Sequence, residues 1–368
     1  MTTNPMMTIL IATKNRPEFI QRFLEYLVVT GYTHWISIGD SNVGSYRESM
    51  KEIVAAFDGR LRIKYLSCPE AGVVECHRQL METISTPYTA CISDGSFLVP
   101  RSLEKCMEFL ENHPDYSIAH GRGTLFSLKS EGPYGEFDHI SLCPLPKREE
   151  ETAVERLTSH LNNYTVSMYC VYRSEIWKKA WEHSFSMKDQ SFAAELLPCC
   201  LTVVYGKAKE LDCLYMMRHM HNRRSLLPNI FDWITNADWQ PSYQLFCSFL
   251  SEALVKKDNV AVDRAREIVK EAFWAYFRKG MNAQYAKRQK NRQWHVRVKN
   301  QLKSIPGMRK TGRSVKSIFS LSKGIAWPAL LRKNSVYHAD FMPIYKIVSH
   351  SSPQRQEKSL ILTTAGKV

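Results

Sequence analysis

Short apolar runs alternate with amphipathic stretches along the first 115 residues of the chain. Continuous runs rich in β-branched residues predict buried strands over 8–12, 34–38, 62–66 and 88–92. Apolar positions at helical spacing predict a helix that opens at Pro17 and further helices over 45–57, 72–84 and 100–112. Pro17 suits a first helical turn, because the N–H that proline lacks would have no partner there.

The pattern is less regular after residue 120. Glycine and proline punctuate residues 121–150, which predicts a mobile loop beside the site. The later predicted elements are a helix over 151–161, a strand over 165–172, a helix over 174–181, a turn and short strand over 205–212, and helices over 243–255 and 260–278.

Strands that alternate with helices at this spacing predict an α/β fold with a mostly parallel, doubly wound sheet. In such sheets ligands bind beyond the carboxyl ends of the strands. Polar clusters stand at three of the predicted ends: Thr13 to Arg16, Asp40 to Asn42, and Ser93 to Ser96. No GxGxxG or P-loop motif follows the first strand, which argues against a dinucleotide or P-loop site.

Composition indicates a globular protein. The chain has 368 residues, 44% hydrophobic and 23% charged, which suits two domains or one domain with a long appendage. No apolar run reaches the about 20 residues of a membrane-spanning helix, and the first seven residues lack the features of a secretory signal. The ten cysteines form no CxxC motif, which favours reduced thiols and a cytoplasmic protein.

Positive charge is concentrated near the C terminus. The chain has 50 Lys and Arg against 36 Asp and Glu, but residues 272–339 hold 16 of the basic residues and none of the acidic ones. The rest of the chain is therefore close to neutral. This distribution indicates an appended contact with an anionic surface and argues against a nucleic-acid-binding core.

Two motifs resemble family-2-type glycosyltransferases with the GT-A fold. The opening TILIATKNRP at 8–17 is similar to their first strand and loop, and TPYTACISDGSFLVP at 86–100 is similar to their acidic DDD region. A later segment from Phe192 to Arg218 follows the same pattern. The resemblance implies a Rossmann-like, nucleotide-diphospho-sugar transferase (GT-A) domain over 1–225, followed by a helical, strongly basic region over 226–368.

This resemblance implies that a sugar is transferred from a nucleotide-diphosphate sugar to a glycan, lipid-linked or protein acceptor. In the family, the loop after the first strand and the acid that ends the second contact the nucleotide. Thr13, Asn15, Arg16 and Asp40 occupy those positions here. The alternative is ordinary loop capping, since Asn and Asp favour turns.

The acidic region of the family holds a divalent metal, Mg or Mn, whose charge offsets that of the diphosphate. Here it is degenerate, because Asp94 is the one carboxylate between Ser93 and Ser96. One carboxylate is compatible with magnesium that is also held by phosphate oxygens and water. The alternative is a turn aspartate in a metal-independent relative, or in an inactive one that binds a nucleotide sugar or a glycan without turnover.

The resemblance places a general base at Glu195, which matches the family's Glu-Leu position. Apolar neighbours would raise the pKa of this carboxyl toward a useful value; the alternative is a helix carboxylate paired with a basic side chain. Asp189 is the rival base, or else an N-cap. Arg218 is the candidate for stabilising the leaving diphosphate. It is followed by further cationic or titratable residues at His219, His221, Arg223 and Arg224.

The basic C-terminal segment also carries aromatic residues, among them Trp274, Tyr276, Phe277, Tyr285, Trp294 and Trp327. Basic residues beside aromatic ones suit an anionic membrane surface, which would make the protein peripheral at the membrane. The alternative is a solvated helical face whose apolar stripe packs on the rest of the chain. Nucleic acid is disfavoured as a partner, because no recognisable binding module accompanies the charge.

Overall fold

The computed structural model of the chain describes residues 4–220, 229–292 and 330–350. Its strands are β1 (Met7–Thr13), β2 (Trp35–Asp40), β3 (Arg62–Ser67), β4 (Tyr88–Ser93), β5 (Ser96–Leu98), β6 (Tyr116–Leu128), β7 (Phe137–Cys143), β8 (Val171–Arg173) and β9 (Lys207–His219). Its helices are α1 (Pro17–Val29), α2 (Gly44–Ala55), α3 (Val73–Glu82), α4 (Pro100–Asn112), α5 (Ala153–Asn162), α6 (Ser174–Glu182), α7 (Leu197–Tyr205), α8 (Ile230–Trp233), α9 (Trp239–Asp258), α10 (Val262–Arg292) and α11 (His338–His350).

A mixed sheet of nine strands organises the described residues, in the order β3-β2-β1-β4-β8-β6-β9-β5, with β7 paired to β6. Strands β3, β2, β1 and β4 are parallel to one another, as predicted. Beyond β4 the directions are mixed, because β8 is antiparallel to both of its neighbours, β6 is parallel to β9 and β5 is antiparallel to β9. The predicted α/β sheet is therefore parallel in its first half and mixed in its second.

Local sequence signals explain where several elements begin. β1 is buried along nearly its whole length, as its continuous apolar run predicts. α1 begins at Pro17, and α4 likewise has a proline in its first turn. At the start of α5, Thr152 and Glu155 form a capping box in which each side chain accepts a hydrogen bond from the other residue's backbone N–H.

The loop predicted over 121–150 is wrong for most of its length, because β6 and β7 form an antiparallel hairpin there. The glycines that suggested a loop are needed for close strand approach. A Cβ on Gly121 would lie 2.5 Å from the Cys213 carbonyl oxygen, and one on Gly123 would lie 2.7 Å from that of Cys143. Pairing between distant strands, which local composition does not reveal, decides the structure of this segment.

Two other predicted strands differ in extent. The strand expected over 165–172 is reduced to the three residues of β8. The short strand expected over 205–212 belongs to β9, which continues to His219 and pairs with β6 and β5. This extension brings Arg218 to the edge of the sheet that carries the polar clusters.

Two hydrophobic clusters stabilise the described chain. One surrounds the sheet and includes α11, whose Phe341 and Ile344 are fully buried. The other joins α5 and α7 to the helices α8, α9 and α10. The region after residue 226 thus contributes to both clusters, and the domain division at residue 225 stays a prediction.

Parts of the predicted C-terminal segment pack inward. In α10, Phe277 is buried in the helical cluster and Tyr276 is half-buried against it, as the alternative to membrane contact foresaw. Trp274 and Tyr285 are exposed. Trp294 and Trp327 lie outside the described residues. None of the helices in the described part of the chain has the length and apolar character that a membrane crossing requires.

Candidate functional site

The carboxyl ends of β1, β2 and β4 meet at one edge of the sheet. In the strand registers, Thr13 lies beside Asp40 and Ala12 lies beside Ser93. Because these strands are parallel, the loops that follow them project in the same direction. The three polar clusters predicted from sequence therefore come together, and we call this region the polar edge.

Asp94 lies at the centre of the polar edge, in the turn between β4 and β5. Its Oδ1 accepts a hydrogen bond from Nη1 of Arg16 at 3.1 Å, and its Oδ2 accepts one from Oγ1 of Thr13 at 3.3 Å. The Arg16 and Asp94 side chains are 19% and 11% exposed, so the ion pair is reachable from solvent but largely shielded. Both partners were predicted as site residues, but their pairing was not.

Asp40 ends β2 and is fully buried. Its Oδ1 accepts a hydrogen bond from the backbone N–H of Asn42 at 2.9 Å, and its Oδ2 accepts one from the Tyr65 hydroxyl at 2.6 Å. Burial, together with this hydrogen bond, raises the pKa of Tyr65. Asn15, at a positive φ of 60°, donates its backbone N–H to the side-chain oxygen of Asn42. Loops β1–α1 and β2–α2 are thereby joined.

A buried arginine that sequence analysis missed holds the Asp94 turn in place. Nη2 of Arg22 donates to the Gly95 carbonyl at 2.9 Å, and its Nη1 donates to the Pro133 carbonyl in the β6–β7 hairpin. The Phe19 and Phe97 rings flank the guanidinium at 5.1 and 4.7 Å. Burial lowers the pKa of Arg22 to about 9, which leaves it charged at neutral pH. The sequence feature that could have identified Arg22 is its position, since it is a cation within the apolar stripe of α1.

Glu195 lies across from this turn, in the π-helical turn Phe192–Leu196 before α7. Single π turns inside helices are frequent at functional sites. The Glu195 carboxyl is buried, and its Oε1 accepts a hydrogen bond from the Tyr164 hydroxyl at 3.2 Å. Burial raises the pKa of Glu195, an effect that Tyr164 and the charge of Arg218 partly offset.

Arg218 connects the two parts of the site. In the β5–β9 pairing it stands opposite Ser96, two residues from Asp94. Its guanidinium lies over the Tyr169 ring at 4.8 Å, and it is close enough to Glu195 to affect the pKa of that carboxyl. A side chain between the Asp94 turn and Glu195 is well placed to contact an anion held at the polar edge.

Asp189 is buried and has a different environment. Its Oδ1 accepts hydrogen bonds from the backbone N–H groups of Ser191 and Phe192 at 2.9 and 3.1 Å. Its Oδ2 accepts one from Nε1 of Trp233 at 2.9 Å. These contacts are those of a helix cap joined to the helical cluster.

The histidines predicted near Arg218 are only partly described. His219 stacks on the Phe126 ring at 4.7 Å, and its backbone N–H donates to the Gly95 carbonyl at 3.3 Å. It is therefore part of the sheet that supports the Asp94 turn. His221, Arg223 and Arg224 lie outside the described residues.

The donor set at the polar edge does not fit a divalent metal. Asp94 supplies the single carboxylate of its turn, and both of its oxygens already accept hydrogen bonds from Arg16 and Thr13. Within the described residues no group of three or more His, Cys, Asp or Glu side chains is arranged to hold a metal ion. Magnesium held through a single carboxylate needs an oxygen of that carboxylate, and here Arg16 and Thr13 are hydrogen-bonded to both of them.

Comparison with known proteins rests on structure alone, since no family model and no curated protein matches the sequence. The structure of S. aureus TarS 1-349 in complex with UDP-GlcNAc is similar, with a TM-score of 0.50 and 13% identity over 74% of this chain and 72% of that chain. A longer S. aureus TarS structure is similar with a TM-score of 0.48 and 12% identity. That alignment covers 74% of this chain but only 43% of TarS.

At this level of identity the likeness shows the fold. The described residues share the mixed α/β fold of TarS 1-349, built on a central sheet of nine strands, and the predicted α/β fold class is confirmed. The sheet of this chain carries the polar edge at the carboxyl ends of the parallel strands, which is where α/β proteins of this type bind their ligands.

Proposed function

We propose that this chain is a glycosyltransferase that moves a sugar from a nucleotide-diphosphate sugar to a hydroxyl group of a glycan, lipid-linked or protein acceptor. The observation that carries the proposal is the polar edge, where Asp40, the Arg16–Asp94 pair and Arg218 converge. It lies in a fold shared with TarS 1-349, which was solved in complex with UDP-GlcNAc.

The polar edge would hold the donor nucleotide. Buried Asp40, oriented by Asn42 and Tyr65, is a fixed hydrogen-bond acceptor for the base or ribose. Thr13 and Asn15 lie in the neighbouring loop, and Arg16 stands at the N-terminus of α1, where backbone N–H groups favour anions. The base and the diphosphate would thus be bound by different parts of one loop cluster.

Glu195 would act as the general base on the acceptor side. A carboxyl whose pKa is raised by burial is a stronger base when ionised, and the acceptor hydroxyl needs to lose its proton as it attacks the sugar. Arg218 would stabilise the departing diphosphate. Asp189 is left out of this role, because its carboxylate caps the turn before α7 and binds Trp233 of the helical cluster.

The test of the proposal is donor turnover. Purified full-length chain is incubated with a panel of nucleotide sugars with and without candidate acceptors, and released nucleoside diphosphate is measured. We expect release from at least one donor, and Asp40→Asn should reduce it at least about tenfold, because the amide replaces one acceptor oxygen by an NH₂ donor and removes the negative charge. Asp58→Asn, at an exposed turn outside the site, is the matched control.

A non-catalytic relative is the rival function, and the single carboxylate of the Asp94 turn is the observation in its favour. Such a protein would bind a nucleotide sugar or a glycan with no release of nucleoside diphosphate. Saturable donor binding without turnover in the presence of the full acceptor panel would establish the rival and refute the enzyme.

We also propose that the basic C-terminal region contacts an anionic membrane surface. Trp274 and Tyr285 are exposed on α10, and most of the basic segment lies between 293 and 329, outside the described residues. Because α10 and α11 belong to the hydrophobic clusters, the test replaces Lys and Arg between 293 and 329 by Gln and leaves the helices intact. Weaker cosedimentation with phosphatidylglycerol vesicles is expected, and equal cosedimentation would contradict the proposal.

A further inference from the structure

We propose that the guanidinium of Arg16 neutralises the diphosphate of the donor in the place of a divalent metal. The inference rests on the proposed function and specifies how its polar edge recognises the diphosphate. It comes from the contacts around Asp94, whose carboxylate is already paired with a cation, the guanidinium of Arg16.

The Asp94 carboxylate is already committed to Arg16. One oxygen accepts a hydrogen bond from the guanidinium at 3.1 Å and the other accepts one from the Thr13 hydroxyl at 3.3 Å. A metal ion at this carboxylate would have to displace a largely shielded, charge-assisted contact. The pair instead orients the guanidinium at the edge where the donor would bind.

The other oxygen atoms of the turn are engaged as well. The Ser93 and Ser96 hydroxyls lie 2.6 Å apart and hydrogen-bond each other. The Gly95 carbonyl accepts hydrogen bonds from Arg22 and from the backbone N–H of His219. A cation entering this turn would therefore find no second carboxylate and would compete with existing hydrogen bonds for these oxygen atoms.

The charges around the Asp94 turn also disfavour a metal ion. Arg22 is buried directly behind the turn, near enough to Asp94 for the two charges to interact. Arg16 stands in front of it, at the positive end of the 13-residue helix α1. Two guanidinium groups and a helix N-terminus thus face the one carboxylate of this turn, an arrangement that disfavours a divalent cation there and favours a diphosphate.

Every bond, electron pair and proton of the proposed transfer reaction is accounted for without a metal. The bond between the anomeric carbon and the β-phosphate oxygen breaks, and its electron pair stays on that oxygen. The acceptor oxygen forms the new bond to the anomeric carbon, and its proton goes to the Glu195 carboxylate. Arg16 offsets the charge that develops on the departing oxygen and transfers no proton.

The test measures the binding of UDP, GDP, CDP, ADP and dTDP to the full chain by calorimetry, first in EDTA and then with an excess of Mn²⁺ or of Mg²⁺. We expect one nucleoside diphosphate to bind with the same Kd, within about twofold, in all three buffers. Binding that is at least about tenfold tighter with a metal would overturn the inference and leave the proposed function standing. No binding in any buffer would overturn the proposed function itself.

Variants identify the cation. Arg16→Gln should weaken binding of that nucleoside diphosphate in EDTA at least about tenfold, and Arg16→Lys should weaken it less because the charge is kept. Asp94→Asn should tighten binding by about threefold, since it removes a negative charge beside the diphosphate. A metal site on Asp94 predicts instead that this variant binds the nucleoside diphosphate more weakly than the unaltered chain when Mn²⁺ or Mg²⁺ is present.

The matched control is Arg264→Gln, which removes an arginine that pairs with Glu267 at the same distance of 3.1 Å, but on the exposed surface of α10. It should leave binding unchanged. Circular dichroism of each variant shows whether the fold is intact, and the measurement on the unaltered chain in EDTA does not depend on any variant folding. Equal affinity of Arg16→Gln and the unaltered chain would also overturn the inference.

Discussion

Glu195 and Asp189 are six residues apart and both are buried, but their surroundings differ. Asp189 accepts hydrogen bonds from two backbone N–H groups and an indole N–H. Glu195 accepts its one described hydrogen bond from Tyr164, in a π turn that faces Arg218. A carboxylate with few donors in a buried place is easier to protonate, which is the property that a base in a transfer reaction requires.

Glu195→Gln should retain donor binding and lose turnover by at least about a hundredfold, because the amide cannot accept the acceptor's proton. The turnover of the unaltered chain should rise with pH through the raised pKa of Glu195, since the ionised form is the active base. Steady-state rates from pH 4 to 8, with calorimetry for binding, check both statements. A variant that keeps its turnover would exclude Glu195 as the base.

The raised pKa of Glu195 also affects how the stability of the fold depends on pH, and Glu195→Gln tests this. The pKa of Glu195 is raised in the folded state above its ordinary value of 4.5, so folding favours the protonated form. Its stabilising contribution is present below pH 4.5 and is lost as pH rises through the folded pKa. Glu195→Gln should therefore have a higher Tm than the unaltered chain at pH 8 and about the same Tm at pH 4. A Tm difference that is independent of pH would contradict this.

At the scale of elements, the β6–β7 hairpin and α11 form a support behind the polar edge. Arg22 links the hairpin to the Asp94 turn through the Pro133 and Gly95 carbonyls. α11 packs against both the hairpin and α1, and the ring of Phe341 lies 5.8 Å from that of Phe137 in the hairpin. The backbone N–H of Gly135 donates to the Val348 carbonyl at 2.9 Å. The site therefore depends on residues far from it in sequence.

Phe341→Ala should lower the free energy of unfolding by about 3–5 kcal/mol, because it leaves a cavity at a fully buried position. Urea unfolding followed by intrinsic fluorescence measures the change. Val336→Ala, at a position 83% exposed just before α11, is the control and should change stability by less than about 0.5 kcal/mol. Equal effects of the two substitutions would show that α11 does not stabilise the fold.

At the scale of the whole molecule, buried histidines make the protein sensitive to acid. Burial, with a smaller effect from the charge of Arg148, lowers the pKa of His160 to about 3. In the described chain neither of its ring nitrogens has a hydrogen-bond partner. Burial also lowers the pKa of His77 and of His120. Because each lowered pKa favours the neutral ring in the folded state, stability is lost as pH falls below the ordinary histidine value of about 6.5.

His160→Leu isolates one of these contributions. Between pH 7.5 and pH 5 the unfolding free energy of the unaltered chain should fall by about 2 kcal/mol more than that of the variant. In the unaltered chain, protonation of His160 in the unfolded state favours unfolding, and the variant has no such group. Urea unfolding at both pH values gives the difference. His139→Leu, at an exposed position, is the control, and its unfolding free energy should fall between the two pH values by as much as that of the unaltered chain. If His160→Leu behaves like this control, His160 is not an acid-sensitive group.

How much of this could be predicted depends on how far apart the interacting residues are. The parallel half of the sheet, the helix that opens at Pro17 and the three polar strand ends follow from local hydrophobic patterns and capping chemistry. These signals extend over a few residues and keep their meaning whatever the rest of the chain does. The clusters that contain Thr13, Asp40 and Asp94 were found in this way, because parallel strands bring their carboxyl ends to one edge, and the family resemblance proposed the individual residues as ligand contacts.

Tertiary structure alone decided the rest. The hairpin at 116–143 depends on β6, which pairs with β9 about 90 residues later in the chain, so its glycines resembled those of a loop. The burial of Arg22, the pairing of Arg16 with Asp94 and the raised pKa of Glu195 arise from neighbours that are distant in sequence. The sequence by itself determined which polar groups stand at the strand ends. Only the folded chain determined their partners and charges, because desolvation and Coulomb interactions depend on distances in space and not along the chain.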